Sequence, residues 1–164
     1  MKIRMHAGLA AMALALAAFA AAPSAEAKVW TFNVTLTGKS ETPPNMTKGT
    51  GKGWVKFDDA TKELSWDIDY KGLTGDATAA HFHGPAKPGV AAGVVIPIGP
   101  KGGQIMSPVI GSTTLNDDQV KMLTDGLLYF NVHTQANPAG EIRGQVVKAS
   151  GMKMPMKKKD APKQ

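Results

Sequence analysis

Cysteine is absent from this chain of 164 residues. That excludes a disulfide, a thiolate metal site, a cysteine nucleophile and a cysteine-linked lipid anchor. Stability must therefore come from a hydrophobic core, which a chain of this length can supply. Beyond the first two dozen residues there is no apolar run approaching the about 20 residues a membrane helix needs. No Gly-x-Ser-x-Gly motif is present. Gly49-Thr50-Gly51-Lys52-Gly53 lacks the spacing of a phosphate-binding loop and reads as a flexible approach to a strand. Histidine is scarce too, with four in all: His6, His81, His83 and His133.

The start of the chain reads as a secretory signal. Lys2 and Arg4 precede an apolar stretch from Gly8 to Ala22, and Ala25-Glu26-Ala27 is a small-residue cleavage site. The expectation is an exported protein, periplasmic or extracellular, whose mature part begins at Lys28 and keeps three histidines. The formal net charge of +6 is a property of the ends. Acidic and basic residues are evenly matched between Lys28 and Val147. The tail carries Lys148, Lys153, Lys157, Lys158, Lys159 and Lys163 against Asp160 alone. A neutral body argues against nucleic acid as a partner.

Secondary-structure signals are short and β-like. Strands are expected at Val29–Thr37, Trp54–Phe57, Leu64–Tyr70, Ala77–His83, Gly93–Ile98, Val109–Leu115, Leu127–Thr134 and Glu141–Lys148. Lys39–Gly53 reads as a loop, and Pro97 marks an edge strand. Asn116 and Gln119 form a capping-box signature before one short helix that Gly126 ends. The expected fold is all-β, an antiparallel Greek-key or immunoglobulin-like sandwich or barrel of about eight strands with that one helix. It forms a single domain over 28–148. Residues 149–164 read as a disordered tail, rich in lysine and methionine. Met152-Lys-Met154-Pro-Met156 spaces thioethers as Cu(I) sites can, but the intervening lysines repel a cation. Contact with anionic lipid or cell-wall polymer is the expected role of the tail.

In a strand, alternate side chains share a face. His81 and His83 then point the same way, about 6.6–6.8 Å apart along the chain, with Phe82 in the core. On the second strand Phe130 and Val132 face the core, so Tyr129, Asn131 and His133 face outward. Three imidazoles converging on one outward patch suit copper or zinc and leave a coordination position open. Asn131 or Glu141 would orient them, and Arg143 shares a face with Glu141, where a surface or cross-strand ion pair is the default. The opposing reading is a polar cluster that only stitches strands together. Asp67 and Asp69 lie on one face of their strand and read as solvated.

The motifs Glu41-Thr-Pro-Pro44, Ala80-His-Phe-His-Gly-Pro-Ala86 and Gly126–Thr134 running into Asn137–Gln145 resemble the CHRD domain, a module named from chordin. The resemblance spans nearly all of Lys28–Val147. It implies an all-β, immunoglobulin-like sandwich or barrel and a module whose biochemical role is mostly undefined; the role expected of this chain is non-enzymatic. A fainter likeness is to copper–zinc superoxide dismutase, which also pairs a His-x-His strand with a later histidine strand. In that likeness His81, His83 and His133 match copper ligands and Arg143 stands near the mouth. No bridging histidine, zinc cluster or disulfide cysteine accompanies them. The chain is thus expected to be an exported binding module for an unknown protein or cell-envelope partner, with copper or zinc as its possible cofactor. The alternatives are a structural or adhesive domain and a mononuclear copper redox enzyme.

Overall fold

The computed structural model describes residues 28–99 and 105–150. The signal-like segment, 1–27, and the methionine- and lysine-rich stretch from 151 onward lie outside them.

Alternation builds the core. In β1 (Val29–Thr37) every second residue is apolar, and Trp30, Phe32, Val34 and Leu36 are all buried. β2 (Thr50–Asp58) contributes Val55 and Phe57, and β3 (Glu63–Lys71) contributes Leu64, Trp66 and Ile68. Phe82 of β4 (Ala77–His83) meets Trp66 edge-on, with ring centroids 5.3 Å apart. On its other side lies Phe130 of β7 (Tyr129–Thr134), 5.1 Å away. Such pairs contribute about 0.5–1.5 kcal/mol beyond the area they bury. β5 (Val94–Ile98), β6 (Val109–Thr114), β8 (Ile142–Gln145) and β9 (Val147–Lys148) complete the sheet.

The strands form one curled antiparallel sheet in the order β5-β4-β7-β8-β1-β2-β3-β6, with β9 added to β1. It is a nearly closed barrel, as the all-β expectation requires. The two ends, β5 and β6, line a cleft of about 410 Å³ floored by Trp66. β5 presents a blunted edge there. Pro97 has no N–H to offer, and the Gln119 side chain already donates to the Val95 carbonyl at 3.2 Å. Pro97 thus marks an edge strand, as the sequence suggests. The helix α1 (Asp117–Thr124) carries the expected capping box. Asn116 accepts from the Gln119 N–H, and the Gln119 side chain accepts from the Asn116 N–H.

Two expectations need correction. Thr50–Gly53 is strand rather than loop. Gly51 and Gly53 are there because a Cβ at Gly53 would lie 2.2 Å from the Asp67 carbonyl oxygen, so only glycine lets β2 approach β3 so closely. The last strand is two. β8 pairs with β7, and β9 pairs with Phe32 and Asn33 of β1 after the Val146 N–H bonds the Leu128 carbonyl.

Candidate metal centre

β4 and β7 are neighbours in register. His81 lies opposite Asn131, and His83 opposite Tyr129. The faces alternate as the sequence demands, so Phe82, Phe130 and Val132 enter the core and the three histidines gather on the other side. One nitrogen from each imidazole lies within 4.8 Å of the others. The ring centroids are 5.4 Å apart for His81 and His83, 4.9 Å for His81 and His133, and 6.0 Å for His83 and His133.

The backbone sets the tautomers. Nδ1 of His83 is 3.0 Å from the Ala92 carbonyl, and Nδ1 of His133 is 3.0 Å from the Pro138 carbonyl. A carbonyl only accepts, so both Nδ1 atoms carry hydrogen and both Nε2 atoms present lone pairs. Nε2 of His133 then accepts from Nδ1–H of His81, at 3.0 Å. Nε2 of His83 is buried and has no partner.

The face that carries these groups is not open. His83 and His133 are 7% and 9% exposed, Asn131 and Arg143 2%, and Glu141 not at all. Only His81 is half-buried. Two loops cover the rest. The segment before β2 is tied down by Asn45, whose Nδ2 donates to the Glu141 carbonyl at 2.9 Å. The segment after β4 is tied down at Ala86, Lys87, Val90 and Ala92. Alternation shows which side of a strand a residue takes. It does not show what the loops lay over that side.

Glu141 does not orient the histidines, contrary to expectation. Its carboxylate accepts from Thr47 Oγ1 at 2.6 Å and Thr74 N at 2.8 Å on one oxygen. On the other it accepts from Thr74 Oγ1 at 2.7 Å, Thr134 Oγ1 at 2.6 Å and Asn137 Nδ2 at 3.2 Å. Burial raises its pKa, but these hydrogen bonds outweigh that and hold it below the usual carboxylate value. Nor does Glu141 pair with Arg143. The guanidinium of Arg143 lies 3.4 Å over the Tyr129 ring, whose other side stacks on His83 at 4.9 Å and 5°. Arg143 also donates to Thr42 Oγ1 at 3.1 Å and to the Val90 carbonyl at 2.8 Å. It is a buried clamp between the two loops, not a cation at an open mouth.

Two participants escape a reading by motif chemistry. Tyr129 holds His83 from the side and bonds both the N–H and the carbonyl of Ala92 through its hydroxyl. Its signal was its place on the histidine face. Glu41 is 6% exposed, with its pKa raised by burial despite the Thr42 N–H, Arg143 and Asn131 nearby. Gly140 makes room for it. At φ 138° Gly140 takes a conformation that favours glycine, and a Cβ there would lie 2.4 Å from Glu41 Oε1 and 2.7 Å from Asn131 Nδ2.

Comparison with known protein families matches residues 32–146 to the CHRD domain. The chain belongs to the CHRD family. No curated protein and no solved structure matches it.

The imidazoles are poised neutral. His81 is pushed down to about 4, first by burial and then by His133 and His83. Burial also lowers His83 and His133, against the hydrogen bonds to Ala92 and Pro138 that favour their charged forms. Folded values below the ordinary 6.5 mean that the unfolded chain takes up protons first as pH falls. The His81 contribution to stability is therefore complete above pH 6.5 and is lost between 6.5 and about 4, and the lowered His83 and His133 act in the same direction. Metal-free protein should unfold at lower denaturant at pH 5 than at pH 7, by a smaller margin in His81→Gln. An NMR titration should place the His81 midpoint well below that of a free imidazole. A midpoint near 6.5 with no difference between variants contradicts the buried geometry.

Proposed function

We propose that this CHRD domain is an exported, non-enzymatic module that binds copper or zinc through His81, His83 and His133. The observation that carries the reading is the bare, buried Nε2 of His83, on a ring whose other nitrogen is committed to a backbone carbonyl. A buried acceptor without a donor costs about 1–3 kcal/mol. A cation removes that cost and turns an unfavourable site into a favourable one. His133 has a second Nε2 oriented by the same device, a carbonyl on the opposite nitrogen, and an ion would take the place of the His81 N–H from which it now accepts. His81, the half-buried member, is the most exposed of the three. A bound ion supplies a link that ties β4 to β7 and, through Ala92 and Pro138, to two loops.

The test is a titration of metal-free protein with Zn(II) and Cu(II), read by calorimetry and by thermal unfolding. One ion per chain is expected. At a free concentration one hundred times Kd the ion should add about 2.7 kcal/mol of stability. His83→Ala should lose most of this while remaining folded. No saturable binding in the unaltered protein contradicts the proposal. The hydrogen bond from His81 to His133 favours a second reading, in which the imidazoles only stitch the strands. Under it, His81→Ala lowers stability and metals change nothing.

A further inference from the structure

We infer that Asn131 is the fourth ligand, its Oδ1 closing the three-histidine site into a four-coordinate centre; this rests on the metal-binding reading above.

Its place in the sheet comes first. Asn131 lies directly across from His81, two residues before His133 on the same strand, and diagonal to His83. Directly opposed residues on one face have Cβ atoms about 4.5–5.5 Å apart, and diagonal ones remain within reach. Asn131 is therefore central to the group, with all three histidines around it.

Its orientation comes next. The amide nitrogen and Glu41 Oε1 both lie against Gly140, and Asn131 is close enough to the Glu41 carboxylate to favour its charged form. A carboxylate only accepts, so Nδ2 is the end turned to Glu41 and Oδ1 is left for the histidine side. There the Asn131 side chain is close enough to His83 to favour its charged form. Yet Oδ1 of Asn131 and Nε2 of His83 are both buried, and neither has a partner. Both are lone-pair atoms, since the His83 hydrogen is spent on Ala92. Two buried acceptors facing one another repel unless a donor or a cation lies between them. Asn131 is 2% exposed, so bulk water does not satisfy it.

The consequence is chemical. Three ligands leave a position for exchange, whereas four protein ligands close the centre. An amide oxygen beside three imidazole nitrogens, with its own nitrogen turned toward a carboxylate, makes a retaining site rather than one that turns over substrate.

The test loads the full mature protein with Co(II), whose visible bands report coordination. The unaltered protein should show a four-coordinate spectrum that excess azide leaves unchanged. Asn131→Ala should bind Co(II) about tenfold or more weakly and change its spectrum on adding azide. A second readout needs no variant. In the Co(II) protein the Nδ2 protons of Asn131 should carry a contact shift comparable to those of the ligand-ring N–H protons. Azide coordination by the unaltered protein, or Asn131 protons without a contact shift, overturns the inference and leaves the three-histidine reading standing. No Co(II) uptake at all overturns both.

Discussion

Glu141→Ala is expected to destabilise the protein by about 3–5 kcal/mol, with a loss of solubility at physiological temperature. Five donors from four residues converge on that carboxylate, and Glu141 is fully buried. Each hydrogen bond to a charged group contributes about 1.5–3 kcal/mol, and each donor left buried and unpaired costs a comparable amount. The sum is not additive, since threonine hydroxyls can turn to other acceptors. Thr74 N–H has no such freedom, whereas Asn137 Nδ2 also reaches Thr74 Oγ1 at 3.2 Å. Glu141→Gln keeps the shape but replaces one acceptor by a donor facing donors, and should cost about half as much. The depressed carboxylate pKa fixes the sign with pH. The contribution of Glu141 is present above the ordinary value of 4.5 and is lost as pH falls below it. Urea unfolding at pH 7 measures the first effect, and its repetition at pH 4 measures the second. A change below 1 kcal/mol at pH 7 would mean that the threonine cage is not a structural knot.

Arg143→Leu should cost about 3 kcal/mol and, separately, weaken metal binding. The side chain is 2% exposed, stacked on Tyr129, and bonded to Thr42 and Val90. Leucine restores some packing but leaves the Val90 carbonyl unpaired and the nearby Glu41 carboxylate without its cation. It also frees one side of the Tyr129 ring that holds His83. Arg143→Lys should rescue little. A lysine keeps the charge but has neither the planar surface that stacks nor the fork that reaches two loops at once. Thermal unfolding of metal-free protein reads the first effect, and zinc affinity reads the second. An Arg143→Lys protein of native stability would show that charge alone matters there.

These two residues show where the sequence was legible and where it was not. The core faces of β1, β3 and β7 follow from strict alternation, because one side of each strand joins the same buried core and the pattern has no other solution. The helix follows from Asn116 and Gln119, whose reciprocal bonds need only local geometry. The convergence of His81, His83 and His133 follows from alternation plus one assumption, that their strands are neighbours, and β4 does pair with β7. The partners of Glu141 and Arg143 do not follow. Both residues sit on the same side of the chain, two apart, which suggests a shared environment. In fact one goes to threonines brought in by loops near 47 and 74, the other to Tyr129 and backbone carbonyls after β4. Contacts made by loops depend on where distant segments return, and a strand pattern carries no record of that. Gly53 and Gly140 were hidden for a related reason. A glycine that permits close approach looks, in sequence, like one that permits a turn.

The central claim is that the histidine cluster holds a transition metal, and its most direct test is the metal content of the protein taken from its native compartment. Mass spectrometry should find close to one copper or zinc per chain in the unaltered protein. Little should remain in a folded His81→Ala/His83→Ala double variant. Equal, substoichiometric metal in both, with no uptake on titration, would contradict the account and leave the three imidazoles as struts between β4 and β7.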